Sequence, residues 1–252
     1  MGKKESLDER FQKVVKANAL IQKSRFSLST QEQKIILYLI TKIKPCDEDF
    51  KLYEFSIFDF CHVCGIHDES GKTYADLKKS LQKLSDKSIW ITLEDGRQTL
   101  LRWIERPFIE PNKGVVQIKL DNLMKPFLLK LQDNFTQYTL FYTLAMRSKY
   151  SIRIYELLKS YQHKGLYECG IEDFKKQIYA EAYKQHADFK RYVVETAIRE
   201  MNEFSDLNVS HSFEKTGRKF TKIIFFVTLK DKQNEKKGVR KKIEARLAHR
   251  HA

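Results

Sequence analysis

The sequence predicts an α+β chain, predominantly helical, folded as two tandem winged-helix domains related by internal duplication. Three observations carry this prediction. In each half, helices with apolar stripes lead into a β-hairpin, the order that describes a winged helix. A string of residues from the first half recurs in the second at nearly constant offset. And 47 Lys and Arg stand against 33 Asp and Glu, a formal net charge of +14 over 252 residues, which favours a polyanionic partner through counterion release and long-range steering. With 42% hydrophobic residues, the chain can build cores for two domains of ordinary size.

Residues 1–25 are polar and helix-compatible and read as an arm packed on the first domain. Leu7, Val14, Ile21 and Leu28 recur at seven-residue spacing, but the companion positions are not regularly apolar, so a coiled-coil seam is the weaker reading. Ser29 and Glu32 form a capping-box pattern opening a helix with the stripe Ile36, Leu39, Ile40 and Ile43, closed by Pro45. After an extended piece over 50–57, a second helix from about Thr73 turns Tyr74, Leu77, Leu81 and Leu84 inward and Lys72, Lys79 and Lys83 outward. Ile89, Ile91 and Leu93 then alternate, Asp95-Gly96 supplies a tight turn, and Val116, Ile118 and Leu120 alternate after a second turn at 111–114.

The second half repeats the plan. Tyr150, Ile154, Leu157, Leu158 and Tyr161 share one helix face, a short helix is expected near 171–180, and a longer one over 188–204. Strands over 207–213 and 220–229 close the half, joined by the basic turn Glu214-Lys215-Thr216-Gly217-Arg218-Lys219. Leu52-Tyr53-Glu54, Ile57, Asp59 and Phe60 recur as Leu166-Tyr167-Glu168, Ile171, Asp173 and Phe174. Ala75-Asp76-Leu77-Lys78-Lys79 is echoed by Ala187-Asp188-Phe189-Lys190-Arg191, again before an amphipathic helix. These patterns divide the chain into a first winged helix over 1–133, a second over 134–230, and a solvated, flexible basic tail over 231–252.

In a helix-turn-helix unit the second helix enters the major groove. Over 188–204 the buried stripe is Val194, Ala197, Ile198, Met201 and Phe204, leaving Lys190, Arg191, Glu195 and Arg199 outward. An Arg there can pair bidentately with guanine and Glu195 can accept from cytosine; an ordinary solvated face with i,i+4 ion pairs is the competing reading. Lys215, Arg218 and Lys219 stand where a wing meets phosphates, with Gly217 permitting the turn. Ser148-Lys149 at a helix start adds N–H groups and a charge for another phosphate, or is surface decoration. The first domain offers Lys72, Lys78, Lys79 and Lys83, with Arg97 in its hairpin. Lysine is a point charge without a planar fork, so this domain is expected to hold backbone more than to read bases.

The chain resembles the Rep_3 family of plasmid replication initiators, the iteron-binding Rep proteins with two winged helices. The resemblance is carried by Asn18-Ala19-Leu20-Ile21, Leu28-Ser29-Thr30-Gln31-Glu32-Gln33-Lys34, Ser148-Lys149-Tyr150-Ser151-Ile152-Arg153-Ile154-Tyr155-Glu156-Leu157-Leu158 and Asp188-Phe189-Lys190-Arg191. It continues through Ala197-Ile198-Arg199-Glu200-Met201-Asn202 and Lys215-Thr216-Gly217-Arg218-Lys219, and spans about residues 14–230. It implies a bacterial protein that, as a monomer, clasps directly repeated origin sequences with both domains, promotes opening of the duplex, and recruits host replication proteins such as a helicase or initiator. As a dimer joined through the first domain, such a protein binds an operator inverted repeat and represses its own gene. The resemblance carries DNA contacts to Lys190, Arg191, Arg199, Lys215, Arg218 and Lys219; Arg153 is left to packing.

Other functions fit less well. His249-Arg250-His251 is the only His-x-His spacing, and its Arg stands where a nicking enzyme's metal site needs an apolar strand residue, so no enzyme is expected. No Gly-rich loop ends in Lys-Ser or Lys-Thr, which argues against ATP hydrolysis. Cys61-His62-Val63-Cys64 with His67 offers part of a zinc site, but a fourth ligand is not evident. Small buried thiols are common in such an apolar run, so neither metal nor other cofactor is expected. Cys46 and Cys169 add too little for a disulfide framework. Met1-Gly2-Lys3-Lys4-Glu5-Ser6 satisfies the loose myristoylation pattern, which short sequences match by chance. No apolar stretch approaches the roughly 20 residues of a membrane helix, so a soluble, cytoplasmic protein is expected, with no membrane partner. The runner-up is a winged-helix transcriptional regulator without a replication role.

Overall fold

The computed structural model describes residues 9–64, 66, 71–93, 95–110, 113–231 and 238–248, the side chains of 71–73 excepted. Over its described residues, 9–25, the arm is only partly helical. Its consecutive β-branched residues Val14 and Val15 suit a strand, and β1 (Lys13–Ala17) precedes a short helix α1 (Asn18–Gln22) and β2 (Ser24–Arg25). Val14 is buried by this strand's alternation, and Leu20 and Ile21 by the helix.

The capping box forms as expected. Ser29 Oγ accepts from Glu32 N–H at 3.2 Å and the Glu32 carboxylate accepts from Ser29 N–H at 2.7 Å, opening α2 (Thr30–Thr41). Every residue from Glu32 to Ile40 is buried, so α2 is enclosed on all sides rather than on one stripe. There follow β3 (Tyr53–Ser56), α3 (Ile57–Cys64), α4 (Gly71–Ser85), the hairpin β4 (Ser88–Thr92) and β5 (Gln98–Arg102), and the hairpin β6 (Phe108–Glu110) and β7 (Val115–Ile118). Two three-stranded sheets result, β2-β4-β5 and β3-β7-β6.

A linking stretch with α5 (Lys125–Leu128) leads to β8 (Phe135–Thr139), which pairs antiparallel with β1. After α6 (Phe141–Leu144) come α7 (Lys149–Ser160), β9 (Leu166–Gly170) and α8 (Ile171–Gln177). The long helix expected over 188–204 begins at α9 (His186–Asp188), passes through a π-helical segment, Phe189–Glu195, and ends as α10 (Thr196–Phe204). The strands β10 (Leu207–Thr216) and β11 (Lys219–Leu229) build the sheet β10-β11-β9. They run further than the sequence predicted, so the six-residue joint shrinks to a tight turn at Gly217, whose φ is +61°.

The duplicated letters fall on equivalent places. Tyr53 and Tyr167 are buried on the strands β3 and β9; Ile57 and Ile171 each open the next helix; Phe60 and Phe174 are fully buried within it. Each strand also pairs with the second strand of a hairpin, β7 in one half and β11 in the other. Helix outweighs strand overall.

A single apolar cluster runs from Val14 to Leu247 and joins both halves. Its axis is α7, buried from Tyr150 to Ser160 although the helix carries Arg153, Glu156 and Lys159. Each charge finds a partner, as burial requires. Glu156 accepts from Lys16 Nζ of β1 and from the Tyr138 hydroxyl of β8. Lys159 and Tyr155 both donate to Asp206. The Arg153 guanidinium donates to Ser24 O at 2.8 Å and lies 4.5 Å over the Phe26 ring, and burial pushes its pKa down to about 10. Its expected packing role is thereby accounted for.

The expectation of a flexible tail fails within the described residues. Residues 240–248 form α11 (Arg240–Ala248), whose Ile243 and Leu247 are buried together with Val239. Arg240 lies 4.8 Å over the Phe11 ring and Arg246 pairs with Glu200 at 3.3 Å. Three apolar side chains at four-residue spacing suffice to seat a helix on a surface that already exists. No helix among the described residues is long and apolar enough to cross a membrane.

Candidate nucleic-acid interface

The outward face of the helix from His186 to Phe204 carries the residues that periodicity placed there. Lys190, Arg191, Glu195 and Arg199 are all exposed, while Phe189, Val193, Val194, Ala197 and Met201 are fully buried. Ile198 is only partly buried at the edge of the stripe. The π-helical segment changes how they meet. Its wider turn brings residues five apart together, so Lys190 pairs with Glu195 at 3.5 Å and Thr196 Oγ1 donates to Arg191 O at 3.1 Å. Glu195 therefore faces a cation of its own helix, and the four-residue ladder from Arg191 through Glu195 to Arg199 is not kept. No carboxylate lies within ion-pair distance of Arg191 or Arg199 among the described residues.

Two neighbours with the look of binding residues are structural instead. Glu200 is buried and its carboxylate accepts from the backbone N–H groups of Arg147 and Ser148 at 3.1–3.2 Å, fastening α10 to the start of α7. Asn202 exchanges two hydrogen bonds with Val209, donating to its O at 2.9 Å and accepting from its N–H at 2.7 Å. This locks α10 to β10 as a further strand would.

At the wing, Lys215, Arg218 and Lys219 are exposed, and Lys215 lies 4.3 Å over the Phe220 ring. These three also have no carboxylate in ion-pair distance among the described residues. Lys149 is half-buried at the first turn of α7, 4.9 Å over the Tyr150 ring, behind the capping residue Ser148. In the first half, Lys78, Lys79 and Lys83 are exposed on α4, and Arg97 is exposed in the β4–β5 turn, where it pairs with Asp95 at 2.7 Å. The Lys72 side chain lies outside the described residues, as do His67 and His249-Arg250-His251. Cys61 and Cys64 are buried in α3, where Arg10 Nε donates to the neighbouring Val63 O at 3.0 Å.

Sequence reasoning passed over two residues of this face. Tyr192 is half exposed between the buried Val193 and the Arg191 guanidinium, which lies 5.4 Å over its ring. A large aromatic next to an Arg, off the apolar stripe of the helix, was the available signal. His186, at the first turn, packs on the wing; its sequence neighbours give no hint of that contact.

Two family models match the chain. One, described as the initiator replication protein WH1 domain, covers residues 13–159; the other, the initiator Rep protein WH2 domain, covers 170–227. Similarity extends to a replication initiation protein of Escherichia coli, 26% identical over 230 residues, 86% of this chain and 69% of that protein. The PI protein of Escherichia coli is 24% identical over 145 residues, 50% of this chain and 47% of that protein. An uncharacterized Escherichia coli protein is 23% identical over 164 residues, 63% of this chain and 66% of that protein.

Proposed function

Because this chain belongs to the Rep_3 family of plasmid replication initiators, we propose that it binds directly repeated origin sequences as a monomer, promotes origin opening and recruits host replication proteins such as a helicase or initiator. The observation that carries this reading is the cationic face of the second domain. There Arg191 and Arg199 on the helix, and Lys215, Arg218 and Lys219 on the wing, stand exposed with no carboxylate in ion-pair distance among the described residues. An α-helix flanked by a basic β-ribbon has the dimensions to enter a major groove while the ribbon follows the adjacent backbone.

Residues 134–230 act as the main reader, with Arg191 and Arg199 on base edges. Lys190 and Glu195, paired with each other, line the same surface, and Lys149, Lys215, Arg218 and Lys219 hold phosphates. Residues 1–133 hold backbone through Lys72, Lys78, Lys79, Lys83 and Arg97. They also carry self-association, which turns the protein into a repressor of its own gene on an operator inverted repeat. Supporting that role, β5 is the open edge of its sheet, and Trp90 and Leu100, directly opposite across β4 and β5, are both about half exposed. The protein acts by binding rather than catalysis, in the bacterial cytoplasm.

Footprinting on DNA flanking its own gene, at two salt concentrations, tests the proposal. Protected direct repeats, each about two helical turns long, are the expected result. Protection of an inverted repeat alone would transfer the protein to transcriptional regulation without replication, and no protection at either salt would refute DNA binding.

A further inference from the structure

The wing's tip has little to hold it. The third strand of its sheet, β9, pairs with Lys222–Phe226 of β11, so beyond Glu214 and Lys222 the wing is a two-stranded ribbon. A ribbon of that kind is marginally stable alone, and this one carries the mutually repelling Lys215, Arg218 and Lys219. A register shift between Glu214 and Lys215 loosens the pairing where the ribbon leaves the sheet.

An aromatic contact from outside the hairpin grips it at that point. The His186 ring, in the first turn of the reading helix, stacks on Phe220 with centroids 3.9 Å apart and planes 10° from parallel. Its edge meets Phe213 at 4.7 Å and 79°. Phe213 and Phe220 come from the two wing strands and touch each other at 5.9 Å, while His211 closes on Phe213 at 5.2 Å. His186 Nε2 is shielded from solvent and has no hydrogen-bond partner among the described residues. Leaving it so costs stability, which means that stacking, not a polar contact, keeps the ring in place. Burial and the nearby Lys175, Lys190 and Lys215 hold its pKa below 6.5, favouring the uncharged ring.

We propose that His186 is a positioning residue for DNA binding: wedged against Phe213 and Phe220, its ring fixes the wing against the reading helix. Lys215, Arg218 and Lys219 then meet phosphates while Arg191 lies in the neighbouring groove. The inference rests on the DNA-binding reading above and adds a residue that touches no DNA itself.

The test uses the full chain, the duplex protected in the footprint, and a scrambled duplex of equal length. His186→Ala is compared with His186→Phe, which keeps a flat ring, and with His186→Leu, which keeps bulk without one. A further variant combines Lys215→Ala, Arg218→Ala and Lys219→Ala. Each phosphate that the protein no longer neutralises reduces the slope of log affinity against log salt by about 0.9. His186→Ala and His186→Leu are expected to leave one to three phosphates unneutralised, roughly 0.9 in slope for each, and to erase the hydroxyl-radical protection under the wing, while protection under the helix remains. His186→Phe retains both, and adding His186→Ala to the triple wing variant changes the slope little further. A wild-type slope and wing footprint in His186→Leu would overturn the proposal, as would a loss that His186→Phe fails to restore. If instead neither the triple wing variant nor Arg191→Ala alters binding, the DNA-binding face itself is wrongly assigned, whatever His186 does.

Discussion

Glu156, 2% exposed in the middle of α7, holds the Lys16 ammonium and the Tyr138 hydroxyl at once. Burial lowers the Lys16 pKa and Glu156 opposes the fall. Taking away one partner leaves the other charge buried and unpaired, so Glu156→Ala is expected to cost about 3–5 kcal/mol, read as a lower urea midpoint. The double variant Lys16→Met with Glu156→Leu recovers part of that loss, since neither charge of the pair stays behind, while the Tyr138 hydroxyl loses its acceptor and Arg153 a nearby carboxylate. On the proposed binding face the expected effects differ in kind. Arg191→Ala costs about 1–3 kcal/mol on the matched sequence and relaxes discrimination at one base position. Lys219→Ala weakens all sequences alike and lowers the salt slope by about 1. Anisotropy titrations against matched and single-base-altered duplexes separate the two. The outward placement of Arg199 was legible because α-helical period determines it within α10, and Arg191 faces outward as well although the segment around it is π-helical. The capture of Glu195 by Lys190 was not legible, since a contact five residues apart arises only in a π turn, which that period does not contain.

The C-terminal helix is the element the sequence concealed most fully. Val239, Ile243 and Leu247 form a single narrow row amid Lys and Arg, a pattern that reads as tail because an isolated helix of this length and composition is marginal in water. Docked against α6 and α10 the same three side chains are buried, and the helix holds. Leu247→Ala is accordingly expected to cost about 2–5 kcal/mol in urea unfolding, a loss that a solvated tail would not show. The wing gives a second test at this scale. The pKa of His186 is lowered by burial and then by Lys175, Lys190 and Lys215; that of His211 is lowered by burial and Lys190, against Glu195. With folded pKa values below the ordinary 6.5, the unfolded chain takes up protons first. The stabilisation is complete above about 6.5 and is lost as pH falls through the folded values. The melting temperature should therefore drop as pH falls below about 6.5, and drop less in His186→Phe.

Across the molecule, the repeat was legible because each half keeps its own strand, helix pair and hairpin, and local pattern reports such units. What pattern could not report is how the halves meet, because the contacts joining them lie far apart in sequence. β1 pairs with β8 more than a hundred residues away, and α7 is apolar-striped yet buried on its polar sides as well, against β1, β2, β8 and the start of β10. An expected boundary near 134 is therefore crossed by a strand pair and by a continuous core. This has a measurable consequence. A winged helix that owned its core would unfold independently of its neighbour, whereas halves sharing α7 must lose their packing together. Both tryptophans, Trp90 and Trp103, lie in the first half, so their fluorescence follows that half alone while far-UV circular dichroism follows the helices of both. Coincident urea transitions by the two probes are the outcome expected of one cooperative unit. Separate midpoints would mean that the ion pairs around α7 break before either core does, and that the Glu156→Ala penalty belongs to the junction rather than to global stability.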